Sequence, residues 1–113
     1  MIELVACPTM VPYHRVIPGT IRIACCAFKG SQIMTLELPD TLQEIGVNAF
    51  YFAKNLRTLE IPSNIKRIEP QKETGTISIR YNNSTFRSWK DLEEHLLSQG
   101  FTRIGETRTI ERK

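Results

Sequence analysis

Ile33-Met34-Thr35-Leu36-Glu37-Leu38-Pro39, continued by Leu42, Ile45, Gly46 and Ala49-Phe50, is the stretch that decides the fold, because the chain repeats it. About 23 residues further on, Leu56, Leu59, Ile61, Pro62, Ile65 and Ile68 reproduce its apolar and proline positions. Upstream, Ile17-Pro18 and Ala27-Phe28 reproduce the second half of the same unit, shortened by one residue. Self-similarity at a fixed period of about 22–23 residues marks a repeat architecture. Chance recurrence of Leu and Ile does not align proline, Ala-Phe and isoleucine positions together.

The spacing carries a physical meaning. Leu36/Leu38 and Leu59/Ile61 alternate with period two, as in a short strand with one face inward, and each strand stops at a proline that cannot donate to a ladder. Each repeat is therefore expected to supply one short strand. The period is too short for a hairpin plus a helix and suits a single coil, so successive strands are expected to stack in parallel. The Ala-Phe pairs then fall on the far side, with Phe28 and Phe50 stacked in the core.

These residues resemble the BspA-like leucine-rich repeats, whose unit runs approximately L-x-x-L-x-I-P-x-x-L-x-x-I-G-x-x-A-F. Leu36 through Phe50 follows that pattern closely, and the resemblance covers residues 16–69, about two and a half units. It departs from the pattern where the third unit ends after Ile68-Glu69-Pro70 without an Ala-Phe pair, and where the first unit is truncated. Ile77–Tyr81, followed by Asn82-Asn83-Ser84-Thr85 and Trp89, looks like the closing segment of such an array. The resemblance implies an α/β fold: a short parallel leucine-rich-repeat coil, or solenoid, with a C-terminal helix-containing cap. It also implies a protein–protein interaction module.

A solenoid needs its apolar ends covered. Residues 70–113 are expected to form the C-terminal cap, with a helix over about 89–99. Ser88 and Asp91 give its start signal, Trp89, Leu92 and Leu96 share one face, and Gly100 gives its stop. Phe101–Ile104 alternates like a strand, while 107–113 is either a further strand or a frayed tail. Residues 1–15 are expected to form the N-terminal cap, with alternating Ile2, Leu4 and Ala6 as an edge strand and prolines at 8, 12 and 18 making the following stretch irregular.

At 113 residues there is room for one domain. With 24% charged and 41% hydrophobic residues, the chain is neither disordered nor polycationic. No long apolar run or signal-like start is present, which makes the cytoplasm the expected location and a membrane partner unexpected. Three cysteines, two of them adjacent, do not form a disulfide framework. The apolar neighbours Ala24 and Ala27 suggest that Cys25 and Cys26 are buried. His14 and His95 lack metal-ligand spacing, and no phosphate loop, nucleophile elbow or telling carboxylate pair occurs. No catalytic residue, metal or cofactor is expected.

Partner contacts should come from the outward strand positions: Thr35 and Glu37 in one coil, Thr58 and Glu60 in the next, and Ser78 and Arg80 on a neighbouring strand that could relieve the stacked carboxylates. Tyr51, beside Phe52, is a candidate anchor, and Lys66 and Arg67 form a basic spot, as do Arg108, Arg112 and Lys113. Residues 57–113 hold eleven basic and eight acidic groups and so carry the whole +3. That excess, without interleaved aromatics, does not favour nucleic acid. The expected function is non-enzymatic binding of a protein partner by a monomer or weak homodimer. The alternatives are a phage or mobile-element inhibitor of a host defence nuclease (anti-CRISPR-like), a self-assembling structural unit, and a Cys-dependent enzyme.

Overall fold

Leu42 donates its N–H to the Pro39 carbonyl at 3.1 Å, and Ile65 donates to Pro62 at 3.2 Å, so two successive repeats leave their strands through the same turn. The computed structural model of the chain describes residues 2–4 (backbone alone), 13–30, 32–51, 53–73, 77–105 and 108–112. Ala6, Pro8 and Pro12 lie outside them.

The chain alternates between two sheets. The first contains β2 (Tyr13–Arg15), β4 (Thr35–Glu37), β6 (Thr58–Glu60), β8 (Ser78–Tyr81) and β9 (Ser84–Phe86), in that order. The second has the order β1 (Ile2–Leu4), β3 (Thr20–Ile23), β5 (Glu44–Ile45), β7 (Arg67–Ile68), β11 (Ile110–Arg112), β10 (Phe101–Arg103). From β2 to β8 in one sheet and from β1 to β7 in the other, every pairing is parallel. Antiparallel strands finish both stacks: β9 on β8, and β11 on β7 with β10 beyond it.

Each full repeat therefore supplies two strands rather than the single strand its period-two pair suggests. The second is only two residues long, Glu44–Ile45 or Arg67–Ile68, too short to display alternation. Strand pairing also begins earlier than residue 16, because β2 joins β4 with Tyr13 opposite Thr35 and Arg15 opposite Glu37.

The core lies between the sheets. Ile23, Ile45, Ile68 and Ile110 stand in register across four neighbouring strands of the second sheet, all buried. Leu36, Leu59 and Ile79 face them from the first. Phe28 and Phe50 stack with centroids 5.5 Å apart, and Trp89 continues the column 5.7 Å from Phe50. The tryptophan thus occupies the place of the Ala-Phe pair that the third unit lacks.

Trp89 arrives on helix α1, Trp89–Ser98. Ser88 is its N-cap and accepts from the Asp91 N–H at 3.1 Å, which satisfies one otherwise orphaned donor. Glu73, from the loop before β8, accepts from the Trp89 and Lys90 N–H groups at 3.1 and 3.0 Å. Its charge also complements the positive end of the helix dipole. Gly100, with φ of +105°, follows the last turn in a conformation that favours glycine. Glu73→Ala should lower unfolding stability by about 1–2 kcal/mol, because two N–H groups lose a charged acceptor. A urea titration checks this, and an unchanged midpoint would remove Glu73 as a helix anchor. The hairpin β8–β9 turns through Asn82 and Asn83, whose φ values of +48° and +68° suit a two-residue turn and a residue type that tolerates them.

Candidate interaction surface

The outer face of the first sheet is built by alternation: His14, Leu36, Leu59 and Ile79 occupy the middle register, and their sequence neighbours face outward. Two rows result. Tyr13, Thr35, Thr58 and Ser78 form one across four strands. Arg15 pairs in register with Glu37, and Glu60 with Arg80, so the second row reads positive, negative, negative, positive. Arg15 Nε lies 3.5 Å from Glu37 Oε2, with both side chains more than half exposed, an arrangement that contributes little to stability.

Six predicted contact residues, Thr35, Glu37, Thr58, Glu60, Ser78 and Arg80, therefore come together on one face. Sequence reasoning missed Tyr13 and Arg15, which complete it. Tyr13 is 51% exposed. Its hydroxyl pKa is raised above the ordinary phenol value, first by desolvation and then by its hydrogen bond to the nearby Glu37 carboxylate. The clue was the distance of about 22 residues between Tyr13-His14-Arg15 and Thr35-Leu36-Glu37, disguised by a histidine at a leucine position.

Beyond the ends of β4 and β6 the turns leave open grooves between coils. One of about 340 Å³ is bordered by Arg15, Pro18, Glu37, Leu38 and Asp40. A second, of about 320 Å³, is bordered by Glu37, Leu38, Asp40, Glu60 and Pro62. Leu38 lines both, beside Pro18 and Pro39 in the first and Pro62 in the second, and Glu37 and Asp40 border both.

The other three predicted contacts lie elsewhere. Tyr51 sits in the turn after Phe50, with the Lys29 and Lys72 ammonium groups 5.9 and 5.2 Å from its ring centroid; its neighbour Phe52 is outside the described residues. Arg67 belongs to the second sheet, on β7 with Lys66 just before it, and is engaged internally. There Arg22, Glu44, Arg67 and Glu111 stand in register with alternating sign. Arg22 contacts Glu44 at 3.1 Å and Glu69 at 2.9 Å, and Arg67 contacts Glu111 at 3.3 Å and Glu69 at 3.6 Å. Two other basic spots are also engaged: Arg108 contacts Glu93 at 3.2 Å, and Arg112 donates to the Ser63 carbonyl at 3.0 Å. Lys113 lies outside the described residues.

The expectation that Cys25 and Cys26 are buried is corrected: Cys25 is exposed and Cys26 half-buried. They occupy the centre of a turn closed by Ala27 N–H donating to the Ala24 carbonyl, which projects the central residues outward. Cys7 is outside the described residues. Among the described residues, no cluster of three or more His, Cys, Asp or Glu side chains is placed to hold a metal. Among them too, no helix is long and apolar enough to cross a membrane.

A family model described as a BspA-type leucine-rich-repeat region (6 copies) matches residues 14–106. The chain belongs to the BspA-type leucine-rich-repeat family. Neither a curated protein nor a solved structure gives a significant match. As a BspA-type repeat protein it falls, in general terms, among protein-interaction modules. The family match begins within β2 and takes in helix α1, so it reaches beyond residues 16–69 at both ends.

Proposed function

We propose that this chain is a non-enzymatic binding module that presents the outer face of β2-β4-β6-β8 to a protein partner. In this reading it is a short solenoid working in the cytoplasm, with parallel repeat pairing from β2 to β8 and a cap of β9, α1, β10 and β11 on its C-terminal side. The contrast between the two sheets carries the proposal. Alternating charges on the second sheet neutralise one another along the row, whereas Glu37 and Glu60 stand side by side on the first. Adjacent strands lie about 4.8 Å apart, so two carboxylates at that spacing favour a basic segment opposite them. The grooves bordered by Glu37 and Asp40, one of them also by Glu60, extend the acidic centre beyond the strand ends.

The same row disfavours self-association through this face. It is palindromic, so either two-fold arrangement that superposes two copies sets like charge on like charge. The reading is therefore of a monomer that binds a different protein, with Thr35, Thr58 and Ser78 as neutral hydrogen-bonding neighbours. Tyr51, Lys66 and Arg67 are outside the proposed contact.

Affinity capture from the native lysate tests this, comparing the intact chain with Glu37→Lys/Glu60→Lys and with Lys90→Glu on the exposed side of α1. The first variant should weaken capture of the partner by roughly hundredfold or more, since like-charge juxtaposition at an interface costs several kcal/mol. Lys90→Glu should leave it unchanged. Equal capture by all three proteins, each checked for folding, would remove the face from consideration.

A further inference from the structure

Cys25 and Cys26 are free thiols that the protein-binding reading does not use. They fill the centre of a turn in which Ala27 N–H donates to the Ala24 carbonyl at 3.2 Å. The Cys26 N–H donates to the Val47 carbonyl at 3.1 Å, which pins the turn to the next coil. Cys26 has a φ of +62°. One coil on, the corresponding residue is Asn48, with φ +50° and its N–H donated to the Pro70 carbonyl. Asparagine is among the few residues that tolerate this left-handed region, and Asn48 Oδ1 also accepts from the Lys72 N–H at 2.9 Å. Cysteine has neither advantage. The first coil therefore holds a strained residue where the repeat accommodates an unstrained one, and such an outlier points toward function.

The turn brings the two Sγ atoms within 3.3 Å of each other, with Cys25 open to solvent. A direct disulfide fits this pair poorly, since neighbouring Cα atoms are about 3.8 Å apart and disulfides ordinarily span at least about 4.4 Å. An atom inserted between the sulfurs avoids that constraint. Two-coordinate linear cations need sulfurs on opposite sides, about 4.6 Å apart for bonds of ordinary metal–thiolate length. Tetrahedral cations need further ligands, and among the described residues no cluster of three or more metal-binding side chains is available. A pyramidal trivalent centre needs only two sulfurs on the same side.

We propose that Cys25 and Cys26 form a vicinal-dithiol site for a thiophilic trivalent metalloid, with an organoarsenic(III) dihydroxide as the representative ligand. In the binding step two As–O bonds break and two As–S bonds form. Each S–H proton leaves with a hydroxyl group as water, and arsenic stays trivalent, so no oxidant or reductant takes part. The Cys25 thiol is held above its ordinary pKa, first by its hydrogen bond with Cys26 and then by desolvation. This site is independent of the protein-binding face.

The test uses the full chain, reduced with a phosphine, exposed to phenylarsine oxide and weighed intact under native conditions. One phenylarsenic adduct per chain is expected, reversed by a small dithiol but resisting an equal concentration of monothiol. Cys7→Ser should retain it. Cys25→Ser and Cys26→Ser should each weaken binding by roughly hundredfold or more, the usual gain from tethering a second ligand. Cys26→Asn supplies the residue the repeat uses one coil on; it should fold at least as stably as the wild type and still lose the adduct. No adduct on the folded wild type, an adduct persisting in any Cys25 or Cys26 variant, or loss in Cys7→Ser would overturn the assignment.

Discussion

Phe50→Ala should lower the free energy of unfolding by about 3–5 kcal/mol, in the range of buried aromatic truncations. Phe50 is almost fully buried and is the middle ring of a three-ring column, 5.5 Å from Phe28 and 5.7 Å from Trp89. Its removal opens a cavity bounded by two other large rings, and the rigid coils on either side limit collapse. Two stacking contacts are lost besides the buried area, each adding roughly 0.5–1.5 kcal/mol. For a chain of this size the melting temperature should fall on the order of 15 °C. Trp89 is the single tryptophan, so its emission reports the same site and should shift to the red as water gains access. Phe86, half-buried on β9, serves as comparison, and Phe86→Ala should cost clearly less. A loss below about 1 kcal/mol for Phe50→Ala would mean that the column does not join the repeats to the helix.

Gly46→Ala should be comparably damaging for a different reason. A Cβ at Gly46 would lie 2.5 Å from the Cys25 nitrogen, 2.8 Å from the Ala24 carbonyl carbon and 2.9 Å from the Ile23 oxygen. All three are backbone atoms of the preceding coil, which cannot rotate aside as a side chain would. The coils must separate, which weakens the bond from Gly46 N–H to the Ile23 carbonyl, now 2.8 Å, and displaces the Gly46 carbonyl from the Gln71 amide that donates to it. The expected loss is about 3 kcal/mol, the upper part of the overpacking range. Gly30→Asn is the control: a Cβ there meets nothing within 4 Å, and asparagine tolerates the φ of +69°. Urea titrations should place Gly46→Ala far below Gly30→Asn in midpoint. A Gly46→Ala midpoint within error of the wild type would show that close approach of the coils is not what this glycine provides.

The repeat was legible because its positions are chemically redundant. Leu36 and Leu59, Pro39 and Pro62, and Phe28 and Phe50 recur at one spacing, and each recurrence strengthens the others. Burial of one strand face fixes alternation, and proline ends the ladder, so the first-sheet strands β4 and β6 and the stacking of Phe28 on Phe50 followed from local chemistry. The same alternation assigned Thr35, Glu37, Thr58 and Glu60 to an outward face before any tertiary contact was known.

What the sequence could not decide depends on residues that meet only through the coil. A two-residue strand such as Glu44–Ile45 has no period of its own and exists because its neighbours stack beside it. His14 hid β2, since a polar ring at an inward position breaks the apolar pattern while the backbone still pairs with Leu36. Arg67 resembled a free basic residue until Glu111, distant in sequence, came within 3.3 Å of it. Cys25 looked buried among alanines until the turn projected it outward. Helical periodicity put Trp89 on one face with Leu92 and Leu96, but only the fold showed that this face closes the aromatic column on Phe50. Local patterning determined that this chain repeats, and with what period; the contacts between successive repeats decided which charges cancel and which remain on the surface.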